Sequence, residues 1–204
     1  MKIIFSVLLP VAFGLGSFSG YAQSPGTTDK KLFIDVHQLT AGKVKFEDVA
    51  AAHAKDLAVE KKHGVHFINF WVDEDKGLIY CLSSASDTGS IRKAHGEAHG
   101  LLPAYTLEVT DGPPAPLTGN KKLYMDVHNL GAGKVTAAAV ADAHKKDLAI
   151  QDKHGVNFIN YWVDEKAGVI LCLSESKNAE SVIGAHKEAH GLVPVEIREV
   201  KQGE

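Results

Sequence analysis

The chain repeats itself, and this internal repeat constrains the fold more than any other feature of the sequence. Residues 31–109 align with residues 122–200 without a gap, and more than half of the aligned positions are identical. The segment LFIDVHQL matches LYMDVHNL, and AHGEAHGLLP matches AHKEAHGLVP. Self-similarity of this kind indicates one structural unit used twice. We therefore predict two domains, at residues 31–110 and 122–201, joined by a proline- and glycine-rich linker at residues 111–121.

Each unit has the hydrophobic pattern of an α+β domain. The predicted order in repeat 1 is strand, helix, strand, strand, helix and strand, at residues 32–37, 46–63, 65–72, 78–83, 90–99 and 103–109. This βαββαβ order is the ferredoxin-like plan. Because so small a unit buries a limited core, we expect the two sheets to pack face to face. The predicted result is an intramolecular pseudo-dimer of the dimeric α/β-barrel type.

The second strand of each unit is apolar on both of its faces. Strict alternation places Val65, Phe67 and Trp71 on one face and Ile68, Phe70 and Val72 on the other. One face must cover the helices of its own unit. The other face needs a partner, and the sister repeat is the nearest candidate.

The first 22 residues have the pattern of a secretory signal peptide. Lys2 supplies the positive start, an apolar run follows over residues 3–18, and Gly20-Tyr21-Ala22 offers small residues for cleavage. A membrane anchor is the alternative, but the run is short for a span of about 20 apolar residues. We expect cleavage after Ala22, a mature chain without a membrane span, and a periplasmic or secreted protein.

Charge and cysteine content limit the possible partners. The net charge of -3 provides no basic surface for nucleic acid. The two cysteines, Cys81 and Cys172, occupy equivalent apolar strands, where buried thiols act as small hydrophobic groups. A disulfide between the repeats and a metal-ligating thiolate are the alternatives, since export leads to an oxidising compartment.

Histidine is the unusual residue in this composition. The chain has 11 histidines, and ten of them form five pairs at equivalent positions of the two repeats. Asp35 and Asp126 form an equivalent pair of aspartates beside them. Excluding the pair at the helix ends, His63 and His154, the recurring candidates for metal ligation are Asp35, His37, His53, His95 and His99 in repeat 1 and Asp126, His128, His144, His186 and His190 in repeat 2.

Each of these residues also has an interpretation in which it binds no metal. His95 and His99 lie one helical turn apart and can chelate one metal, but they could equally form a solvated polar face. Asp35 and His37 share one face of strand one, opposite Ile34 and Val36, which we expect to face the helices. The aspartate and the histidine should then point toward the open side of the sheet or its rim. His53 shares a helix face with Asp56, close to a predicted core Leu57, and could be a buried core histidine. His63 precedes a glycine at a helix end, where a cation interacts favourably with the helix dipole.

The predicted topology brings these histidines together. Strand four of a ferredoxin-like unit runs antiparallel beside strand one, so the end of strand one lies near the end of helix two. His37, His95, His99 and His53 can therefore gather at one edge of the unit, while His63 falls at the other. Imidazole with carboxylate suits zinc, copper, nickel or iron, and the sequence alone does not choose among them.

The motifs DVH, AH-x-x-DL, HGV-x-FINFWVDE and H-x-EAHGL together resemble a family of small bacterial ferredoxin-like proteins, the nickel-binding members of DUF4242. The resemblance covers residues 32–109 and 123–200, almost all of both repeats. It implies nickel binding through histidines and acidic residues. This chain departs from the single-domain, dimer-forming members by its duplication and its predicted export.

Three functions are compatible with this sequence. The first is a nickel-binding protein for sequestration, buffering or delivery, with further self-association of the whole chain as an additional expectation. The second is a small enzyme that uses the cavity between the paired sheets, lined by Asp35, His37 and Trp71, with a histidine as general base. The third is an interaction module without either activity. Metal content distinguishes the first from the third.

Overall fold

The computed structural model describes residues 29–204. The predicted signal peptide and its cleavage site therefore lie outside the described residues. The described chain forms eight strands and four helices: β1 (Lys31–Gln38), α1 (Phe46–His63), β2 (His66–Asp73), β3 (Leu78–Ala85), α2 (Thr88–Ala98), β4 (Tyr105–Asp111), β5 (Lys122–Asn129), α3 (Ala137–His154), β6 (Asn157–Asp164), β7 (Val169–Ser176), α4 (Ala179–Ala189) and β8 (Glu196–Gly203). None of the four helices in this part of the chain is long and apolar enough to cross a bilayer.

The two repeats close into one barrel, which confirms the predicted α+β fold and the pseudo-dimer. Strands follow the order β1-β3-β2-β8-β5-β7-β6-β4 around the barrel. The last strand of each repeat pairs with its own first strand and then continues onto the second strand of the other repeat, so β8 pairs with β2 and β4 pairs with β6. Each repeat therefore completes the sheet of the other, and this exchange removes exposed sheet edges.

The barrel interior is the largest apolar core. Trp71 and Trp162, equivalent residues of the two repeats, meet there with ring centroids 5.0 Å apart. Ile34 and Val36 of β1 also point into this interior. The prediction that these two residues face the helices is therefore wrong. Both faces of the sheet are buried in a closed barrel, so apolar residues on a strand do not reveal which face covers the helices.

A register shift in the second strand also changes the predicted faces. The pairing of β2 with β3 shifts between Phe67 and Asn69, and an equivalent shift occurs in β6. Because the bulge breaks the alternation, Phe67 packs on the helix side together with Phe70 and Val72, while Trp71 points into the barrel. The predicted grouping of Phe67 with Trp71 is therefore wrong.

The helices end where the sequence indicates. Gly64 follows α1 with a φ of 68°, and its N–H and that of Val65 bond back to carbonyls of the last turn. This left-handed conformation costs glycine little, so the residue ends the helix at His63. The polypeptide then enters β2 directly, which fixes α1 across the sheet.

The segment between the repeats is held against repeat 2. Glu175, almost fully buried, accepts hydrogen bonds from the backbone N–H groups of Thr118 at 2.8 Å and Gly119 at 2.7 Å. Further back, the N–H of Ala115 donates to the carbonyl of Ile159. These bonds fix the path of the chain from β4 to β5.

Candidate metal centre

The buried face of α1 is unusually polar, and it faces a polar stripe of the sheet. The buried residues of α1 are Val49, His53 and Asp56, whereas Leu57 is 41% exposed. Leu57 was predicted to be core, and that prediction is wrong, because the buried stripe follows the spacing 49, 53, 56 and leaves position 57 outside it. Opposite this helix face, β1 presents Asp35, which is fully buried.

Asp35 and His37 face the helices rather than an open side of the sheet. The prediction that they point toward the open side of the sheet or its rim is wrong, because both faces of the sheet are buried in the closed barrel. Cys81 on β3 is the strand partner of Asp35 and lies on the same side of the sheet. His95 reaches this stripe from α2 and is 1% exposed. The polar groups therefore lie in the layer between sheet and helices.

One group of possible ligands surrounds the Nε2 atom of His95. Oδ2 of Asp35 lies 3.0 Å from this atom and also 3.0 Å from Nε2 of His37. Together with the thiol of Cys81, these residues offer ligand atoms that all lie within 4.8 Å of one another.

A second group lies on the other side of the same imidazole. Nδ1 of His95 is 2.9 Å from Oδ1 of Asp56 and 3.2 Å from Nε2 of His99. Nε2 of His99 also donates to Oδ2 of Asp56 at 3.2 Å. His95 thus stands between two carboxylates, one contributed by β1 and one by α1.

Repeat 2 reproduces both groups from equivalent residues. The first consists of Asp126, His128, Cys172 and His186, and the second of Asp147, His186 and His190. The distance from His186 Nδ1 to Asp147 is 3.0 Å, and that from its Nε2 to Asp126 is 3.4 Å. The arrangement is therefore a property of the repeated unit.

The carboxylates determine the charge of the central histidine. Burial opposes a charged imidazole, but the hydrogen bonds to Asp35 and Asp56 raise the pKa of His95 to about 9. The equivalent contacts raise the pKa of His186 to about 10. Burial alone would raise the pKa of Asp35, yet its bonds with His37 and His95 hold that pKa below the usual value. Without metal, each centre is a buried imidazolium between carboxylates.

His99 is held in one tautomer. The backbone N–H of Leu101 donates to Nδ1 of His99 at 3.1 Å, so the proton of the neutral ring sits on Nε2 and points to Asp56. A metal ion at Nε2 would replace this proton. The backbone bond would then need to open or the ring to bind as an anion, which makes His99 a costlier ligand than His37.

The residues present fit a transition-metal ion. Oδ1 of Asp35 and Nδ1 of His37 are buried without a hydrogen-bond partner, which leaves two lone pairs facing no proton donor. The observed contacts of 2.9 to 3.2 Å also match ligand geometry. At a metal–ligand distance of about 2.1 Å, two ligands at right angles lie about 3.0 Å apart. Imidazole, carboxylate and thiol are donors that suit nickel, zinc or copper.

The remaining predicted residues have separate positions. His53 and His144 line the pockets next to the two centres, but they belong to neither group of possible ligands. His63 and His154 lie at helix ends, where each bonds to a surface glutamate, Glu97 or Glu188, at 2.9 Å.

Four residues of these centres were absent from the predicted ligand set. They are Asp56 and Asp147 on the long helices and Cys81 and Cys172 on the strands. The recurring AH-x-x-DL motif pointed to the aspartates, which share a helix face with His53 and His144. Both cysteines are free and buried, so they form no disulfide in this structure. Burial, with Asp35 and Asp56 nearby, raises the pKa of the Cys81 thiol well above its usual value, so the thiol is protonated without metal.

A pocket opens beside each centre, between the long helix and the sheet. Its volume is about 180 Å³ in repeat 1 and about 130 Å³ in repeat 2. His37 and His99 form part of the wall in repeat 1, so the pocket connects the buried groups to solvent.

The cavity between the paired sheets, which the enzyme hypothesis uses, is not lined by the residues predicted for it. Trp71 points into the barrel, whereas Asp35 and His37 lie on the opposite face of the same sheet. The three residues therefore do not line a common substrate pocket, and this predicted lining is wrong. Apolar side chains from both repeats fill the barrel interior around Trp71 and Trp162.

Comparison with known proteins identifies the family. The family model described as nickel responsive protein SCO4226-like matches residues 33–109 and 124–200. The chain therefore belongs to this family and carries its domain twice. No curated protein matches the chain.

Solved structures give three further similarities. The crystal structure of SCO4226 from Streptomyces coelicolor A3(2) is 38% identical over 40% of this chain and 99% of that chain, with a TM-score of 0.38. Chlorite dismutase from Candidatus Nitrospira defluvii is 8% identical over 85% of this chain and 90% of that chain, with a TM-score of 0.48. A mutant of that dismutase is 10% identical over 86% and 90%, with a TM-score of 0.49.

Proposed function

We propose that this member of the nickel-responsive family is an exported nickel-binding protein that sequesters, buffers or delivers the ion. One observation carries the proposal: each repeat gathers two aspartates, three histidines and a cysteine between the sheet and the helices. These residues form two groups that share one histidine, and within each group the ligand atoms lie within 4.8 Å of one another. Buried charged groups without a function are costly, and this chain maintains them twice. The family match supports nickel among the metals that this chemistry suits. We include in this proposal that the chain is a member of DUF4242, which its sequence motifs resemble.

The residues closest to one another would hold the ion. Asp35, His37 and His95 provide a carboxylate and two imidazoles, and Cys81 provides a thiol that would bind as the thiolate. Asp56 and His99 would then hold the other side of the His95 ring or bind an ion themselves. When bound, the ion supplies a positive charge that replaces the protons now shared within each centre.

A nickel titration of the mature chain tests this proposal. Calorimetry should show at least two ions bound per chain, one for each repeat. Replacing His99 and His190 together by Ala should weaken binding about tenfold or more. Replacing His63 and His154 by Ala should change little, since these rings contact surface glutamates. If the helix-end pair abolishes binding while the other pair does not, the ion binds elsewhere.

Metal identity requires a separate competition. Protein purified without a histidine tag should contain stoichiometric metal. Nickel bound in preference to zinc at equal free concentration would support a nickel role, since donor type alone permits both metals. Preferential zinc retention would assign these centres to another metal.

The export part of the proposal has its own test. It is supported by the basic start and apolar run of the first 18 residues and by the small residues at Gly20 and Ala22. Mass spectrometry of the periplasmic and secreted fractions should find a mature chain beginning at Gln23. An intact Met1 on the cellular protein would contradict export by cleavage.

A further inference from the structure

The pockets beside the two centres have walls that a bare metal ion does not need. In repeat 1, Leu39, Val44, Val49 and Ile79 line the pocket, and their equivalents line it in repeat 2. Hydrated cations interact with oxygen and nitrogen atoms rather than with aliphatic walls. An apolar pocket with a few polar groups is instead typical of a site for a small organic molecule.

The polar groups of each pocket point to an anionic ligand. Lys43 lines the pocket of repeat 1 and Lys134 that of repeat 2, and neither ammonium group has an ion-pair partner among the described residues. The repeat 1 pocket also contains a buried nitrogen without a hydrogen-bond partner, Nε2 of His53, a residue that is 5% exposed. A buried polar atom of this kind is satisfied when a ligand or water donates to it or accepts from it.

The two pockets differ in charge. Asp48 lines the pocket of repeat 1, and Ala139 takes its place in repeat 2. The repeat 1 pocket is lined by two carboxylates, those of Asp48 and Asp56, whereas the repeat 2 pocket is lined by one, that of Asp147. Repeat 2 therefore opposes an incoming anion less than repeat 1.

Repeat 2 also contributes a hydroxyl that repeat 1 lacks. Tyr161 lines its pocket at the position of Phe70, and the Tyr161 ring lies 4.8 Å from that of His144. A tyrosine hydroxyl carries its proton at neutral pH and can donate a hydrogen bond. The ring also packs against Gly112, where a Cβ atom would lie 2.2 Å from the ring, so only glycine fits there.

We propose that the repeat 2 pocket binds a small organic carboxylate with a short apolar body, and that the repeat 1 pocket binds it more weakly. The aliphatic walls cover the body, Lys134 binds the carboxylate, and Tyr161 adds a hydroxyl to the lining of the same pocket. The site lies next to the metal centre of the proposed function, but it does not require a bound metal. It would allow the protein to hold an organic acid beside its ion.

Isobutyrate is a suitable probe, with isobutyramide as its neutral isostere. The test uses the metal-free mature chain at pH 7 with methyl groups labelled for NMR. Titration with isobutyrate should shift the signals of Leu130, Val135 and Ile170 saturably, at lower concentration than those of Leu39 and Val44. Isobutyramide should bind several-fold more weakly. Equal shifts with both probes, or no saturable shift, would overturn the proposal.

Matched substitutions locate the carboxylate. Because Lys134 is exposed, Lys134→Met should weaken isobutyrate binding in repeat 2 about threefold to fivefold. Lys43→Met is the matched control and should leave the repeat 2 signals unchanged. Ala139→Asp should weaken binding in repeat 2, and Asp48→Ala should strengthen it in repeat 1. Binding unaffected by Lys134→Met would place the carboxylate elsewhere and overturn the assignment.

Nickel titration separates this proposal from the proposed function. In a carboxylate-free buffer, loss of nickel binding would contradict the metal-binding function and leave the isobutyrate result standing. Normal nickel binding without any effect of isobutyrate on the methyl signals would contradict only the carboxylate pocket.

Discussion

Nε2 of His95 on α2 lies 3.0 Å from Oδ2 of Asp35 on β1, although 60 residues separate them in the sequence. The other nitrogen of the same ring contacts Asp56 of α1 at 2.9 Å. One imidazole therefore connects a strand and both helices of its repeat. This connection makes the centre part of the packing between sheet and helices, so the same side chains contribute to stability and, under the proposed function, to metal binding.

Removing one carboxylate should affect both properties. Asp56→Asn keeps the size of the side chain but removes the charge that faces His95 and His99. We expect a loss of about 1–3 kcal/mol in unfolding free energy, since a hydrogen bond to a buried charged group is weakened. Nickel affinity of repeat 1 should fall about tenfold or more. Urea unfolding and calorimetry measure the two effects.

Glu97→Gln provides the control for this change. Glu97 is a surface acid of α2 that pairs with Lys62 and His63. Its neutralisation should alter stability by less than about 1 kcal/mol and leave nickel binding intact. If both variants lose nickel equally, the effect comes from total charge rather than from ligation.

Stability of the metal-free protein should fall as the pH rises above neutral. The pKa values of His95 and His186 are raised to about 9 and about 10, above the unfolded value of 6.5, so the folded state binds more protons. This stabilisation is complete below about pH 6.5 and is lost as the pH passes through the folded values, by up to about 1.4 kcal/mol per pH unit for each histidine.

Urea unfolding at pH 6.5 and 9.5 measures this slope. The double variant Asp35→Asn and Asp126→Asn should reduce the slope, because it removes one of the carboxylates that raise each histidine pKa. The double variant His63→Ala and His154→Ala should preserve it. A wild-type stability that is equal at both pH values would contradict the charged state of the two histidines.

Nickel affinity should continue to increase above pH 7. An ordinary histidine loses its proton near pH 6.5, so its metal affinity levels off above neutrality. His95 must release a proton held with a pKa of about 9 before it can bind an ion. Competition with a chelator should show at least about a tenfold gain per pH unit between pH 7 and 8.5, and more if the Cys81 thiol also releases its proton to bind as the thiolate. Between pH 7 and 5 the affinity should fall sharply. A plateau above pH 7 would exclude His95 as a ligand.

A single repeat should not persist as a folded monomer. Without repeat 2, β2 loses its partner strand β8, and Ile34, Val36 and Trp71 lose the apolar side chains opposite them. A chain of residues 29–111 should therefore dimerise or unfold, because an exposed edge and an exposed apolar face both favour association. Sedimentation and circular dichroism distinguish these outcomes. A stable monomer would show that the barrel interface is dispensable.

Much of the centre could be predicted from the repeated residues. Asp35, His37, His95 and His99 recur in both repeats, and the strand order of the fold brings them to one region. The face of the sheet on which Asp35 and His37 lie could not be predicted in the same way. Asp35 was predicted to lie on an open face because Ile34 and Val36 were expected to face the helices, but in a closed barrel both faces of the sheet are buried.

The sequence by itself determined the duplicated α+β unit, the ends of its helices and the types of ligand available. These follow from local properties: the period of apolar residues, the left-handed glycines after helices, and the recurrence of histidine and aspartate. Only the tertiary structure decided that Asp56 and Cys81 join the centre and that Phe67 faces the helices. The physical reason is that a bulge and barrel closure act between segments far apart in the chain, and side-chain direction depends on those contacts.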